Sequence, residues 1–235
     1  MTGTFLLAVC LLANPSTPAP EGSYLYYPVT GPDCRTRARV ELYIPHEGDL
    51  VLFDDDCWYW HILYRFPAMT EPPDHSGIVV LKPDGTPALL ESGPDDSDYV
   101  LIQDAIPRLN AFKGTIWIRR LKKPLDPEHS ARLTNFALAQ EGKKYAIWRL
   151  LLQGTPFRCR GKYSGKWRGK TYMNRNRWLC SELVITAGTH AGLFDPKIHK
   201  ANILYPRDII DNHVFDFSDT WEDPGVWSSC PPIEK

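Results

Sequence analysis

The chain of 235 residues lacks an apolar run long enough to cross a lipid bilayer, and it lacks the common nucleotide-binding fingerprints. The apolar run near the N-terminus, Phe5–Ala13, would span about 14 Å as a helix, which is too short for a bilayer core. Glycine-rich phosphate loops and dinucleotide-binding glycine patterns are absent as well. We therefore expect no transmembrane segment and no bound cofactor.

Charge of one sign is missing from two long stretches, although the net charge is only -1. Residues 84–107, the acidic block, contain six Asp or Glu and no Lys or Arg. Residues 143–179, the basic block, contain eleven Lys or Arg and no acid. The near neutrality of the chain is therefore a cancellation of two oppositely charged segments.

The composition, with 43% apolar and 23% charged residues, is typical of a soluble globular chain. We interpret residues 1–32 as a secretory signal or a disordered lead-in, because the short apolar run is followed by small residues but preceded by no Lys or Arg. Export to the cell envelope and a cytoplasmic location both stay open. Disulfides are not required in a chain of this length, and the sequence leaves the state of four cysteines open: Cys34, Cys57, Cys159 and Cys230.

Residues 33–235 are predicted to form one α+β domain. Strand signals dominate the first half, and Lys82-Pro83-Asp84-Gly85 between two apolar runs is the strongest hairpin signal. Helical spacing follows, first in a helix capped by Asp126 and Pro127. We therefore expect an antiparallel sheet with helices packed on one side. The stretch of about 146–178 has no period and is interpreted as a basic insertion on the surface.

Cys180 stands at the start of a second predicted helix, over residues 179–188. A cysteine is an effective nucleophile only as a thiolate, and the free N–H groups and positive dipole end of a helix N-terminus favour that form. The same N–H groups are able to bind the oxyanion of a tetrahedral intermediate. Cys180 is thus the candidate nucleophile. The alternative is a small buried apolar side chain without a chemical role. The presence of a base near Cys180 would favour the nucleophile.

Seven histidines compete for the role of that base. His75 has the strongest case, because it lies at the start of a predicted strand, where a side chain is able to face a cleft, and Gly77 allows close backbone approach. The others lie in turns, in loops or on helices. A lone histidine is more often structural, so His75 depends on finding partners.

Glu91 is the candidate to orient the imidazole, since the hairpin carries it to the same end of the sheet as His75. A pairing of residues 75 and 91 would be centred on Pro83, off the Asp-Gly turn. Glu91 shares a face with His75 only if the loop has an odd length or a bulge. Otherwise it is a solvated carboxylate on the wrong side of the sheet.

A metal site is the rival chemistry, because Cys57 and His61 are four residues apart and His75 is near in the sequence. No second Cys or His at ligand spacing completes a zinc set. We therefore predict no metal site.

Six segments together resemble the permuted papain-like amidases of the YiiX/YaeF type, a branch of the NlpC superfamily of cysteine peptidases. The resemblance covers about residues 47–212, with the histidine strand before the cysteine helix. The segments are Gly48-Asp49-Leu50-Val51, His75-Ser76-Gly77-Ile78-Val79, Leu90-Glu91-Ser92, Gly142-Lys143-Lys144-Tyr145, Cys180-Ser181-Glu182-Leu183-Val184 and Tyr205-Pro206-Arg207-Asp208-Ile209.

The resemblance implies a thiol peptidase or amidase with Cys180 as nucleophile, His75 as base and Glu91 as the orienting acid. Tyr145, which matches a Gly-x-x-Tyr element, is expected to shape the cleft, and Ser181 to contact the substrate. The long basic spacer between Tyr145 and Cys180 departs from the family pattern and leaves the substrate undecided.

Two functions follow from these observations. The first is a cysteine hydrolase that cleaves an amide bond in a cell-wall peptide or an acyl amide through an acyl-enzyme. The second is a catalytically inactive binding module, in which Lys143 to Arg177 contacts an anionic polymer or lipid surface; a solvated surface loop is the plainer alternative. We expect no nucleic-acid partner. We also expect the acidic and basic blocks to flank one cleft, with the basic block setting selectivity.

Overall fold

A computed structural model describes the chain from residue 22 to 231, apart from residues 31–35, 56, 66–69, 95–96, 154, 156, 158 and 160–161. Its ten strands are β1 Tyr24–Thr30, β2 Thr36–Leu42, β3 Leu50–Asp54, β4 His75–Leu81, β5 Pro87–Ser92, β6 Val100–Asp104, β7 Thr115–Arg119, β8 Lys144–Tyr145, β9 Arg177–Trp178 and β10 Gly225–Ser228. Its seven α-helices are α1 Trp58–Arg65, α2 Ala105–Ala111, α3 Pro127–Gln140, α4 Ile147–Gln153, α5 Lys162–Arg168, α6 Cys180–His190 and α7 Pro206–Asp211.

Eight strands form one sheet in the order β2-β1-β10-β7-β3-β4-β5-β6, and every neighbouring pair is antiparallel. The fold is therefore α+β with an antiparallel sheet, as the sequence predicts. β8 and β9 form a separate parallel pair. No helix in the described part of the chain is long and apolar enough to cross a membrane.

Helices cover both faces of the sheet, whereas the sequence predicted one covered face. Successive strand side chains point to opposite faces, so each central strand contributes to two cores. The larger core packs Leu52, Ile78 and Leu90 against residues of α3 and α6. The smaller core packs Phe53, Val79 and Leu89 against Ala105 and Leu109 of α2. The short α2 helix was missed because its residues lie at the end of the acidic block and show no clear period.

β1 lies within the segment 1–32 that the sequence suggested was a signal or a disordered lead-in, yet it is part of the sheet. It pairs with β2 on one side and with β10 on the other. Alternate residues Leu25 and Tyr27 are buried in the smaller core. Its partner β10 is distant in sequence, so no local pattern indicated the pairing. The signal-like residues 1–20 lie outside the described part of the chain.

The helix α3 forms as predicted. Asp126 caps it by accepting hydrogen bonds from the backbone N–H groups of Glu128 and His129, and Pro127 occupies the first turn. The buried residues are those chosen by helical spacing: Leu133, Phe136, Ala137 and Gln140. α6 also forms where the sequence places a helix, and the short α7 follows later in the chain.

The basic insertion contains helices and a strand that its sequence pattern did not indicate. α4 and α5 lie within it, and β9 near its end pairs with β8. Two of its arginines, Arg158 and Arg160, lie outside the described residues. Cys57, Cys159, Cys180 and Cys230 are free thiols, while Cys10 and Cys34 lie outside the described residues.

Candidate active site

The hairpin β4–β5 places His75 and Glu91 on the same face of the sheet. Lys82 pairs with Thr86 around a loop of odd length, in which Gly85 takes a positive φ of 83°. This register sets Gly77 opposite Glu91, so His75, two residues before Gly77, points to the same side. The Nε2 atom of His75 lies 2.9 Å from Oε2 of Glu91.

Gly77 is required for this contact because it leaves room for the carboxylate. A Cβ atom at position 77 would lie 2.9 Å from Cγ of Glu91 and 3.3 Å from the carbonyl oxygen of Leu90. The Glu91 side chain thus crosses over the glycine to reach the imidazole. A side chain at position 77 would displace it.

Arg108 also binds Glu91, and no pattern in the sequence indicated this contact. Its Nε donates to Oε1 at 2.9 Å and its Nη2 to Oε2 at 3.1 Å, an arrangement that binds both carboxylate oxygens. Both side chains are almost fully buried. The guanidinium also lies over the Phe53 ring, 4.9 Å from its centroid. The only sequence signal was that Arg108 is the first cation after the acidic block.

Cys180 lies at the first residue of α6, within reach of the start of β4. Its Sγ atom is 3.9 Å from the carbonyl oxygen of Asp74, the residue before His75. The Cys180 side chain is also among the groups that raise the pKa of His75, which places the thiol near the imidazole. Nε2 of His75 faces Glu91, so Nδ1 is the ring nitrogen that Glu91 does not occupy. The structure thus places Cys180 beside the start of β4, where His75 contacts Glu91.

The electrostatic environment favours a charged imidazole. Burial alone would lower the pKa of His75, but the hydrogen bonds to Cys180 and Glu91 and the charges on both groups raise it to about 10. Burial would likewise raise the pKa of Glu91, yet His75 and Arg108 outweigh this effect and hold that pKa below its usual value. The raised pKa of His75 and the lowered pKa of Glu91 both favour an ion pair between imidazolium and carboxylate, and Arg108 binds the same carboxylate.

Tyr145 borders the same site because of the β8–β9 pair. Its strand runs parallel to the residues that lead into α6, and Tyr145 pairs with Trp178. The ring packs on Gly93, where a Cβ atom would lie only 2.7 Å from it, and Gly93 has a positive φ of 76°. Burial and the nearby charge of Cys180 raise the pKa of Tyr145 well above its ordinary value. Tyr145 is thus a neutral phenol beside the thiol.

Ser181 is placed differently from the expectation of a substrate contact. Its hydroxyl donates a 2.7 Å hydrogen bond to the backbone carbonyl of Leu204, and the residue is buried. It lines a cavity of only about 20 Å³ together with Cys180. In this arrangement Ser181 ties the first turn of α6 to the following chain.

Glu182, also in the first turn of α6, connects the helix to the basic block. Its Oε2 accepts a hydrogen bond of 2.5 Å from Arg149, and its Oε1 accepts one of 2.6 Å from Arg175. Burial raises the pKa of Glu182 to about 7, although Arg149 opposes the shift. Two arginines of the basic block therefore bind inward and hold the cysteine helix.

A cavity of about 520 Å³ opens beside His75. Residues of the acidic block, Gly93 and Asp98, and residues of the basic block, Tyr145 and Leu150, line it together. Tyr145 and Leu150 also border the small cavity at Cys180, so they separate the two spaces. The two charged blocks thus meet at one cleft.

One wall of this cleft is acidic. Carboxylate oxygens of Asp54, Asp55 and Asp74 lie within 4.8 Å of one another. Burial and the neighbouring Asp55 raise the pKa of Asp74 to about 6, against the effect of His75. His61, a zinc candidate in the sequence, contacts Asp54 with its Nε2 2.8 Å from Oδ1. Within the described residues, the combination of Cys57, His61 and His75 does not form a ligand cluster.

Comparisons with known proteins identify one distantly similar solved structure. No protein-family model and no curated protein matches the chain. A solved structure described as the metalloprotein yiiX from Escherichia coli O157:H7, DUF1105, is similar to it with a TM-score of 0.43 and 17% sequence identity. The match covers 63% of this chain and 67% of that one. This is a distant similarity, and no residue of the site is assigned from it.

Proposed function

We propose that the protein is a cysteine hydrolase of the amidase or peptidase type, with Cys180 as nucleophile, His75 as general base and acid, and Glu91 as the group that orients His75. The observation that carries this proposal is the position of His75, which contacts the Glu91 carboxylate at 2.9 Å and directly follows Asp74, whose carbonyl oxygen lies 3.9 Å from Sγ of Cys180. A nucleophile, a base and an orienting acid in this order are the recurring elements of acyl-transfer sites.

The reaction follows from that arrangement. The thiolate of Cys180 attacks the carbonyl carbon of an amide, and the electron pair of the carbonyl moves to the oxygen. His75, as imidazolium, gives its proton to the leaving nitrogen when the C–N bond breaks, which leaves a thioester on Cys180. Neutral His75 then takes a proton from water as that water attacks the thioester. The acid is released and the thiol is restored.

The start of α6 supports the negative oxygen that forms in both steps. The first N–H groups of a helix have no intrahelical partner and lie at the positive end of the dipole. Cys180 is the first residue of an eleven-residue helix, so these groups lie at the same end of the helix as its side chain. The neutral phenol of Tyr145 is a second donor for the same oxygen.

A permuted papain-like fold is part of the same proposal. The histidine strand β4 precedes the cysteine helix α6 in the chain, and both meet at one end of the antiparallel sheet. The sequence segments that resemble the permuted papain-like amidases include both elements. Acidic and basic side chains line the cleft together, among them Asp74, Asp98 and Lys113, and such mixed walls suit a polar amide such as a peptide.

Substitution of the nucleophile and base tests the proposal. We expect the wild type to hydrolyse at least one member of a panel of cell-wall peptides, acyl amides and acyl esters. Cys180→Ser and His75→Ala are expected to lose that activity by several orders of magnitude. Cys230→Ser, which removes an exposed free thiol, is the matched control and is expected to behave as wild type. Unchanged activity in Cys180→Ser would refute the mechanism.

A further inference from the structure

The outer side of α4 presents apolar side chains to solvent, contrary to the usual pattern of a surface helix. Four of its residues are exposed: Ile147, Trp148, Leu151 and Leu152. Trp148 alone is 74% exposed. Surface helices of soluble proteins normally turn such residues inward. An exposed apolar face of this kind is typical of an interaction surface.

The neighbouring α5 region extends the same surface. Phe157 is 68% exposed and Trp167 is 80% exposed. A groove of about 350 Å³ brings these two rings together with Leu152 of α4. The apolar groups of the two helices therefore form one continuous patch, and we name it the α4–α5 surface.

Cations surround this patch. Arg168 and Lys170 line the groove beside Trp167, and Lys166 and Arg177 are exposed in the same part of the chain. Residues 143–179 contain no acid that would neutralise them. The buried Glu182 takes Arg149 and Arg175 inward, which leaves its charge unavailable to the outer cations. The α4–α5 surface is therefore apolar and positively charged at once.

We propose that the α4–α5 surface docks the protein on anionic lipid bilayers. Tryptophan, leucine and phenylalanine side chains on one surface, with Lys and Arg at its border, are the composition of helices that lie in the membrane interface. The apolar groups enter the headgroup boundary, and the cations contact lipid phosphates or carboxylates. Bases of a single-stranded nucleic acid would stack on the aromatic rings, but they would leave Ile147, Leu151 and Leu152 without a partner.

The position of α4 links this docking to the cleft. Leu150 lines both the large cavity beside His75 and the small one at Cys180, and Gln153 also lines the small one. Docking through the other side of α4 therefore sets the cleft next to the bilayer. This last step depends on the proposed function, whereas the binding itself does not.

Vesicle sedimentation tests the proposal with the full chain. Phosphatidylcholine vesicles are compared with vesicles that also contain phosphatidylglycerol. We expect the wild type to bind the anionic vesicles, with a blue shift of tryptophan fluorescence and a loss of binding as salt is added. Lys166→Glu and Arg168→Glu should each weaken binding by roughly fivefold for the lost cation, and by more because the new charge is negative. The double variant Trp148→Ser/Trp167→Ser should abolish the blue shift that insertion causes.

Matched controls isolate the surface. Trp58→Ser removes a tryptophan that is 73% exposed on α1, and Lys123→Glu reverses an exposed cation before α3; both are expected to bind vesicles as wild type does. Cys180→Ser is also expected to bind fully, which separates docking from catalysis. The proposal would be overturned by an absence of binding to anionic vesicles, by equal losses in the control variants, or by a stable dimer that buries Trp148 and Trp167. Binding to oligonucleotides but not to vesicles would overturn it too.

Discussion

The guanidinium of Arg108 binds both carboxylate oxygens of Glu91, while Oε2 of the same carboxylate also contacts Nε2 of His75. Glu91 is fully buried, and its position is therefore set by two partners that come from α2 and β4. Arg108 fixes the carboxylate from behind, and the carboxylate fixes the imidazole. Arg108 is in this sense a positioning residue for His75.

Removal of Arg108 is expected to disturb both stability and the site. Arg108→Met leaves a buried carboxylate short of a cation, which costs about 3–5 kcal/mol of unfolding free energy. Arg108→Lys keeps the charge but cannot bind both oxygens, so we expect a folded protein whose kcat falls roughly tenfold or more. Urea unfolding and the pH profile of hydrolysis measure the two effects. A profile for Arg108→Lys identical to wild type would show that Arg108 only supports the fold.

Neutralisation of Glu91 changes the dependence of stability on pH. The folded pKa of His75, about 10, lies above its ordinary value of 6.5. The imidazolium therefore stabilises the folded state fully below pH 6.5, and this contribution is lost as the pH rises towards about 10. Glu91→Gln lowers the pKa of His75, so the fall in stability over this window should become shallower. Urea unfolding across the pH series checks the slopes, and equal slopes would contradict the coupling.

Gly77 makes room for the Glu91 side chain. A methyl group added at position 77 should therefore displace Glu91 and lower the activity. Gly77→Ala places a Cβ atom 2.9 Å from Cγ of Glu91. Overpacking of this kind costs about 1–3 kcal/mol, and displacement of Glu91 should lower kcat as well. Gly165→Ala on α5 is the matched control, since the nearest atom to its Cβ is 3.6 Å away. Equal effects of the two substitutions on kcat would refute the role of Gly77.

Removal of the Tyr145 hydroxyl is expected to lower the rate of hydrolysis without changing the reactivity of the Cys180 thiol. Tyr145→Phe keeps the ring against Gly93 and removes a donor near Cys180. We expect kcat to fall roughly tenfold to a hundredfold, as for loss of an oxyanion donor, with little change in KM. The rate of Cys180 alkylation should stay at the wild-type level. A change confined to KM would assign Tyr145 to substrate binding alone.

The sequence predicted the elements with strong local signals. Asp126 and Pro127 mark the start of α3, and helical spacing selects its buried residues. The Asp-Gly turn predicts the β4–β5 hairpin, and an odd loop was the condition stated for Glu91 to face His75. That condition is met, because Lys82 pairs with Thr86. These features depend on residues close together in the chain.

Features that depend on distant contacts were missed. β10 joins the sheet between β1 and β7, which are remote in sequence. Arg108 turns inward only because β5 presents Glu91 to α2. α4 carries apolar residues on its outer side, so its pattern has no amphipathic period that would mark a helix. The tertiary contacts of these residues, rather than their neighbours in the chain, decide their structure.

The most direct test of the catalytic proposal is the rate at which iodoacetamide alkylates each thiol at mildly acidic pH. Cys180 is only 5% exposed, whereas Cys230 is exposed. Accessibility alone would therefore make Cys230 the faster thiol, and pairing with the His75 imidazolium would make Cys180 faster. We predict that Cys180 reacts first in the wild type and slows sharply in His75→Ala. A Cys180 that reacts more slowly than Cys230, at a rate unchanged by His75→Ala, would contradict the proposal.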